Sequence, residues 1–184
     1  PYNDLDVIAG QGTIACEVLR AWPSVDVLYV ALGGGGLVAG VAAAAKQLRP
    51  GLEVVGCSPS ASPALRVVAQ QGEGAEVRCG ATWSDSTAGG VEPGAITVPL
   101  ARVLVDRFVD VDEAEIVAEL RHALADEHLL VEGAAGVALA ACRRDALAGR
   151  LASRRAAVLV CGGNLPFDRL AEVLGGDAAG VASG

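Results

Sequence analysis

Four consecutive glycines, Gly33–Gly36, constrain the fold more than any other feature of this sequence. The apolar stretch before them, residues 26–32, predicts a buried strand, and the alanine-rich stretch after them, residues 37–49, predicts a helix. Glycine accepts tight turns with positive φ and has no Cβ to block an anion. The free N–H groups of a first helical turn, at the positive end of the helix dipole, then point at that anion. The sequence therefore predicts a phosphate-binding loop at Gly33–Gly36.

Strand and helix patterns alternate along the rest of the chain. Expected strands cover residues 26–32, 53–57, 107–111 and 156–161, and expected helices cover residues 13–22, 37–49, 63–71, 97–106, 133–148 and 165–174, with a further helix capped by Asp112 and Glu115. Residues 1–10 and the long stretch 72–94 are expected to be loops. This alternation predicts an α/β fold with three αβα layers and a mostly parallel sheet. We expect one α/β domain over residues 1–175 and a disordered tail over residues 176–184.

Composition excludes several classes of function. The net charge is −8, and no basic patch with interleaved aromatic residues is present, so nucleic acid is not an expected partner. No apolar run reaches about 18 residues, and no signal-like start is seen, so we expect neither a membrane nor secretion. Five cysteines without a C-x-x-C pair disfavour zinc and disulfides. Reduced thiols and a cytoplasmic location are therefore expected.

The glycine run allows more than one ligand. Gly34, Gly36 and Ala39 match the dinucleotide fingerprint G-x-G-x-x-A, which also needs an acidic residue at the end of the second strand. That strand ends at Cys57-Ser58, without an acid, which disfavours a dinucleotide. A purely structural turn is the other alternative, but each glycine costs about 0.5–1 kcal/mol relative to alanine in regular structure. A phosphorylated cofactor other than a dinucleotide is therefore favoured.

Four segments suggest which cofactor this is. They are DVIAGQGTIACEVL (residues 6–19), VALGGGGLVAGVAAAAKQLRP (30–50), LLVEGAAGVALAA (129–141) and VLVCGGN (158–164). In this order they resemble the pyridoxal-phosphate enzymes of the tryptophan-synthase β-subunit-like fold, in particular the serine/threonine dehydratases and serine racemases. The resemblance runs from residue 6 to about residue 174. It implies pyridoxal 5′-phosphate as the cofactor, and the larger domain of a two-domain enzyme as the fold.

The resemblance also implies which residues bind the cofactor. Gly33–Gly36, with Leu37 adjoining, would hold the phosphate, and Glu132 would lie close to the ring. Gly90 matches a glycine of the family's A-D-G stretch, in which Gly89 replaces the acid. For Glu132, capping of the following helix is the alternative interpretation.

Cys161 stands where the family usually has a serine or threonine that hydrogen-bonds the pyridine nitrogen. A neutral thiol is a weak partner, so the ring would be a modest electron sink, which suits α,β-elimination. A buried core cysteine is the alternative interpretation. Some family members bind a divalent metal through two acids, but Ser58 and Ala64 occupy those positions here, so no metal site is expected.

The family's catalytic residue is a Schiff-base lysine near the amino terminus, and this chain has no match to it. Its only lysine, Lys46, is expected to be a solvated cation at a helix end. We therefore expect no catalytic residue here, and a C-terminal portion of a serine/threonine ammonia-lyase that requires an N-terminal lysine-bearing portion or chain. The substrate would be a small amino acid, and the family implies a homo-oligomer. A serine racemase-like enzyme part and a non-catalytic cofactor-binding or assembly module are the alternatives.

Overall fold

The computed structural model describes residues 1–72 and 74–175. In chain order the elements are α1 (Leu5–Ala21), β1 (Val27–Ala31), α2 (Gly36–Leu48), β2 (Glu53–Pro59), α3 (Ala64–Gln71), a 3₁₀ turn (Asp85–Thr87), α4 (Thr97–Leu104), β3 (Arg107–Val111), α5 (Glu113–Ala125), α6 (Gly133–Leu147), β4 (Ala156–Val158) and α7 (Phe167–Gly175). The predicted disordered tail, residues 176–184, lies outside the described residues. Within the described ranges, no helix is long and apolar enough to cross a membrane.

The four strands form one parallel sheet in the order β3-β2-β1-β4. The register places Tyr29 of β1 opposite Val55 of β2 on one side and Val158 of β4 on the other. The predicted α/β class and the parallel sheet are confirmed. The glycine loop Gly33–Gly36 follows β1 closely. Because β2 and β4 flank β1, these two strands set the position of the loop.

Alternate residues of β1 face opposite sides of the sheet, as the two-residue period of a strand requires. Leu28 and Val30 are fully buried in one core cluster, to which α1, α2 and α4 contribute side chains. Val27 and Tyr29 are fully buried in a second cluster, which α5 and α6 cover. Helices therefore lie on both faces, and the predicted three-layer arrangement is confirmed.

The first helix begins earlier than predicted. Residues 1–10 were expected to be a loop, but α1 begins at Leu5, with Asp4 as its N-cap accepting hydrogen bonds from the N–H groups of Asp6 (2.9 Å) and Val7 (3.1 Å). Gly10 and Gly12 weaken the helical pattern in the sequence. Packing of α1 on α2 overrides that weakness, because tertiary contacts provide most of a helix's stability.

Gly40 is the residue that permits this close crossing of α1 and α2. A Cβ built on Gly40 would lie 2.0 Å from the carbonyl oxygen of Ile8, whereas a Cβ on Gly10 of α1 would meet nothing within 4 Å. We expect Gly40→Ala to lower the free energy of unfolding by about 1–3 kcal/mol, because the helices must separate. Gly10→Ala should raise it by about 0.5–1 kcal/mol. Urea unfolding checks both, and equal stability of the two variants would contradict this packing.

Smaller differences concern the ends of elements. β4 stops at Val158 instead of residue 161, and α7 begins at Phe167 instead of residue 165. The predicted capping box of α5 is confirmed, with hydrogen bonds in both directions between Asp112 and Glu115. Ser62, just before α3, does not cap it; its hydroxyl accepts from the Gly89 N–H (3.1 Å). Beyond the end of β4, the Leu159 N–H still donates to the Tyr29 carbonyl (3.0 Å), so the chain continues beside β1.

Lys46 is not the solvated cation that the sequence predicted. Its Nζ donates to the carbonyl of Leu52 (2.7 Å) and pairs with Asp106 Oδ2 (2.5 Å), and its side chain is 21% exposed. Asp106 also accepts from the N–H of Val54 (2.7 Å). Lys46 therefore ties the end of α2 to the starts of β2 and β3, which is a structural role.

Candidate active site

A cavity of about 350 Å³ opens where the neighbouring strands β1 and β4 end. Carboxyl ends of parallel strands are where open α/β sheets bind ligands. The cavity is lined by Tyr2, Ala31, Gly33, Gly34, Gly35, Gly36, Leu37, Ser86, Thr87, Glu132, Ala134, Cys161 and Gly162. The structure thus brings together the glycine loop, Leu37, Glu132 and Cys161. Gly90 is exposed and is not among the lining residues.

The backbone of the glycine loop is too closely surrounded for side chains. Gly35 has φ +96°, and a Cβ on it would lie 2.7 Å from Leu65 and 2.8 Å from Thr97. A Cβ on Gly34 would lie 2.2 Å from the ring of Tyr2. The Thr97 hydroxyl donates to the Gly34 carbonyl (2.7 Å), so this oxygen already has a hydrogen-bond donor. The loop therefore presents bare backbone to the cavity.

The loop leads into the first turn of α2, which offers hydrogen-bond donors. Gly35 is the N-cap, no side chain caps the helix, and the first turn contains no acidic residue. The first helical bond runs from the Ala39 N–H to the Gly35 carbonyl (2.9 Å). The N–H groups ahead of Ala39 have no carbonyl partner within the helix, and the helix dipole is positive there. This arrangement can bind a phosphate.

Glu132 faces the cavity and does not cap α6. It is the N-cap residue by position, but its side chain makes no capping bond. Oε1 accepts from the Ser86 hydroxyl (2.8 Å), and Oε2 accepts from the Asn164 N–H (3.1 Å). Gly162 has φ +97°, and a Cβ on it would lie 2.4 Å from the Glu132 carboxyl carbon. The glycine after Cys161 is therefore required for this carboxylate to occupy its place.

Cys161 is partly buried at the cavity wall and is not a core residue. Burial raises the pKa of its thiol, and the negative charge of Glu132 acts in the same direction. The side chain is therefore a neutral thiol at neutral pH. It can offer a weak hydrogen bond, but it is not activated as a nucleophile.

This protonation state predicts a slow alkylation of Cys161. The thiolate is the reactive form, so a raised pKa lowers the reaction rate at neutral pH and lets the rate keep rising at more alkaline pH. We expect iodoacetamide to modify the exposed Cys79 at least about tenfold faster than Cys161 at pH 7. Mass spectrometry of the alkylated peptides measures both rates in one sample. Comparable rates for the two cysteines would contradict the assignment.

Six cavity-lining residues were not predicted as site residues: Tyr2, Ala31, Ser86, Thr87, Ala134 and Gly162. Ser86 and Thr87 line the cavity where the A-D-G match had pointed to Gly90. Ser84-Asp85-Ser86, a few residues before Gly90, has the same small–acid–small pattern as the A-D-G stretch. This match is the sequence signal that points to Ser86. Tyr2 carried no signal, because its place depends on how α1 packs.

Ser58 and Ala64, at which no metal site was expected, are both buried. Among residues 1–72 and 74–175, no group of three or more His, Cys, Asp or Glu side chains is arranged to hold a metal ion.

Comparisons with solved structures identify the same architecture elsewhere. The processed form of threonine deaminase isoform 2 from Solanum lycopersicum superposes with a TM-score of 0.86 and 26% identity, covering 97% of this chain and 51% of that one. Maize serine racemase superposes with a TM-score of 0.81 and 29% identity, covering 90% of this chain and 52% of that one.

Comparisons of sequence agree. A putative threonine dehydratase of Sinorhizobium fredii is 36% identical over 179 residues, 96% of this chain and 53% of that protein. The L-threonine ammonia-lyase of Geobacter sulfurreducens is 41% identical over 141 residues, 77% of this chain and 35% of that protein. The chain thus spans about half the length, or less, of these curated relatives. The family model "Pyridoxal-phosphate dependent enzyme" matches residues 1–162. This chain belongs to the family of pyridoxal-phosphate dependent enzymes.

Proposed function

We propose that this chain is the cofactor-holding part of a pyridoxal-phosphate ammonia-lyase that acts on serine or threonine. The reaction is an α,β-elimination that converts a β-hydroxy amino acid to a 2-oxo acid and ammonia. One observation carries the proposal: the side-chain-free loop Gly33–Gly36 opens into the same cavity as Glu132 and Cys161. The names of the Sinorhizobium and Geobacter relatives support the choice of substrate class.

In this proposal each cavity residue has a distinct task. The backbone of Gly33–Gly36 and the first turn of α2, which starts beside Leu37, bind the phosphate. Glu132, held by Ser86 and by the backbone of Asn164, forms a fixed negative wall of the cavity. When bound, pyridoxal phosphate withdraws electrons from the substrate's α-carbon. Gly90 is not needed for these tasks, because Ser86 occupies the cavity wall.

Cys161 is compatible with α,β-elimination. We assign it to the pyridine nitrogen of the cofactor, where its neutral thiol leaves that nitrogen largely without a proton. An electron sink of this strength suits a reaction in which the β-hydroxyl leaves promptly. A serine racemase-like enzyme part is the second candidate, which the likeness to maize serine racemase favours.

The lysine that attaches the cofactor is proposed to come from an N-terminal lysine-bearing portion or a separate chain. Lys46 is the only lysine in the sequence, and its ion pair with Asp106 holds it outside the cavity lining. Among the described residues the outer edges of both β3 and β4 pair with no other strand, and either edge could accept a partner strand. Without such a partner, the chain is a non-catalytic cofactor-binding module.

The proposal also includes a homo-oligomeric assembly and a cytoplasmic location for the protein. Large apolar side chains stand exposed on the surface, including Leu147 (83%), Phe167 (80%) and Val103 (79%), which supports contacts within a homo-oligomer. Five free thiols support a reducing, cytoplasmic location.

The test is a binding and complementation experiment. Purified chain is dialysed against pyridoxal phosphate, treated with borohydride, digested and analysed by mass spectrometry. We expect saturable uptake of about one cofactor per chain and no cofactor fixed to Lys46. Lys46→Arg, which keeps the ion pair, is the matched control and should take up the cofactor normally.

Activity is then measured with a lysine-bearing N-terminal portion of a relative added. L-Threonine should yield 2-oxobutyrate only in the mixture, and D-serine formation from L-serine tests the racemase alternative. Cofactor fixed to Lys46, or 2-oxobutyrate released by the chain alone, would overturn the proposal.

A further inference from the structure

Tyr2 and Asn3, which we call the strap, lie against the glycine loop. A Cβ on Gly34 would lie 2.2 Å from the Tyr2 ring, and a Cβ on Gly36 would lie 2.8 Å from the Tyr2 carbonyl oxygen. The Tyr2 side chain also lines the cavity. The strap therefore touches two of the four glycines that we propose to hold a phosphate.

The other side of the strap is hydrogen-bonded to residues 92–96. The N–H of Glu92 donates to the Tyr2 hydroxyl (2.7 Å), and the N–H of Ile96 donates to Asn3 Oδ1 (2.8 Å). Asn3 Nδ2 in turn donates to Glu92 Oε2 (3.2 Å). The next residue along the chain, Thr97, donates its hydroxyl to the carbonyl of Gly34 (2.7 Å). The contacts thus form a closed ring from loop to strap to residues 92–97 and back to the loop.

The strap is also attached to the helix α1, which follows it in the sequence. Asp4, its neighbour in sequence, caps α1. α1 in turn packs against α2 at the close approach of Ile8 and Gly40. The contact between α1 and α2 therefore sets the position of the strap relative to the first turn of α2.

We propose that Tyr2 and Asn3 are positioning residues for the phosphate, and that through them phosphate binding is coupled to the order of residues 92–97. This rests on the proposed function, which places a phosphate at Gly33–Gly36. Glycines are conformationally free, so a run of four loses much entropy when it closes around a ligand. A strap that holds the loop in its binding geometry reduces that loss, and so raises the affinity.

The coupling is tested by hydrogen exchange and by equilibrium binding on the full chain. Ligands are pyridoxal phosphate, inorganic phosphate and pyridoxal, which lacks the phosphate. Tyr2→Phe removes only the hydroxyl bond to Glu92 and keeps the ring, whereas Asn3→Ala removes both Asn3 bonds. Arg78→Ala is the control, since that side chain is 91% exposed and is bonded to Glu76.

We expect pyridoxal phosphate and inorganic phosphate to slow amide exchange at Glu92 and Ile96 in the unsubstituted chain. Asn3→Ala should weaken pyridoxal phosphate about fivefold to tenfold, and Tyr2→Phe about fivefold, with pyridoxal much less affected. Arg78→Ala should bind as the unsubstituted chain does. If Asn3→Ala does not fold, Tyr2→Phe carries the test.

Two outcomes overturn the coupling while leaving the proposed function intact. One is that the chain binds pyridoxal phosphate with no change in exchange at Glu92 and Ile96. The other is that both strap variants bind with unchanged affinity. A chain that takes up neither pyridoxal phosphate nor inorganic phosphate shows instead that the proposed function fails, and the role of the strap fails with it.

Discussion

Gly35→Ala is expected to weaken pyridoxal phosphate binding at least tenfold. Gly35 has φ +96°, a conformation that costs a side-chain-bearing residue about 1–2 kcal/mol. The new Cβ would also lie within 3 Å of Leu65 on α3 and Thr97 on α4, so the loop and the start of α2 must shift away from these two helices. Each 1.4 kcal/mol corresponds to a tenfold change in affinity. Fluorescence titration with pyridoxal phosphate measures the effect.

Two further variants separate this effect from a general loss of structure. At Gly33 the nearest atom to a new Cβ is the Thr87 Cα at 3.2 Å, so Gly33→Ala should weaken binding less than Gly35→Ala. Gly51→Ala, where a Cβ meets nothing within 4 Å, should leave binding unchanged. A Gly35→Ala chain that unfolds at the normal temperature and still binds as the unsubstituted chain does would mean that the phosphate is bound elsewhere.

Asp145→Ala is expected to lower the free energy of unfolding by about 3–5 kcal/mol. The Asp145 carboxylate on α6 is fully buried and accepts from the Tyr29 hydroxyl (2.7 Å) and from Arg150 Nε (2.7 Å). Arg107 of β3 donates to it as well. Removing the carboxylate leaves the buried Tyr29 hydroxyl and the Arg150 guanidinium without this acceptor, whereas Arg107 keeps its ion pair with Glu53 (3.1 Å). Urea unfolding measures the loss, and the exposed Asp168→Ala is the control, expected to cost less than about 1 kcal/mol.

The same carboxylate predicts a dependence of stability on pH. Burial opposes ionisation of Asp145, but hydrogen bonds from Tyr29, Arg107 and Arg150 outweigh it and hold its pKa below the usual value. A lowered pKa in the folded state contributes stability that is present above about pH 4 and is lost as the pH falls through the folded value. Asp145→Asn should lack this contribution. Acid unfolding curves that lose the same stability with and without the substitution would contradict it.

The glycine loop was predictable because its requirements are local. A buried strand, four residues without Cβ and a helix start follow one another in the sequence, and each imposes its own backbone geometry. Glu132 and Cys161 were predicted only from the resemblance of four sequence segments, in their order, to a known family. No local pattern predicts their contact, because α6 and β4 bring them to the cavity only after folding.

Other features depended on packing that no local pattern reports. α1 begins at Leu5 because α2 supports it, despite Gly10 and Gly12. The position of Tyr2 at the cavity depends on this beginning of α1 at Leu5. Asp145 stands beside Arg143 and Arg144 in the sequence and resembles a solvent-facing residue, yet it is completely buried at the centre of an ion-pair network.

A crystal structure of the chain grown with pyridoxal phosphate tests the central claim most directly. We predict the phosphate group at Gly33–Gly36, accepting hydrogen bonds from backbone N–H groups of the first turn of α2, with the ring between Glu132 and Cys161. Cofactor density at any other place, or a phosphate group facing away from the glycine loop, would contradict the account.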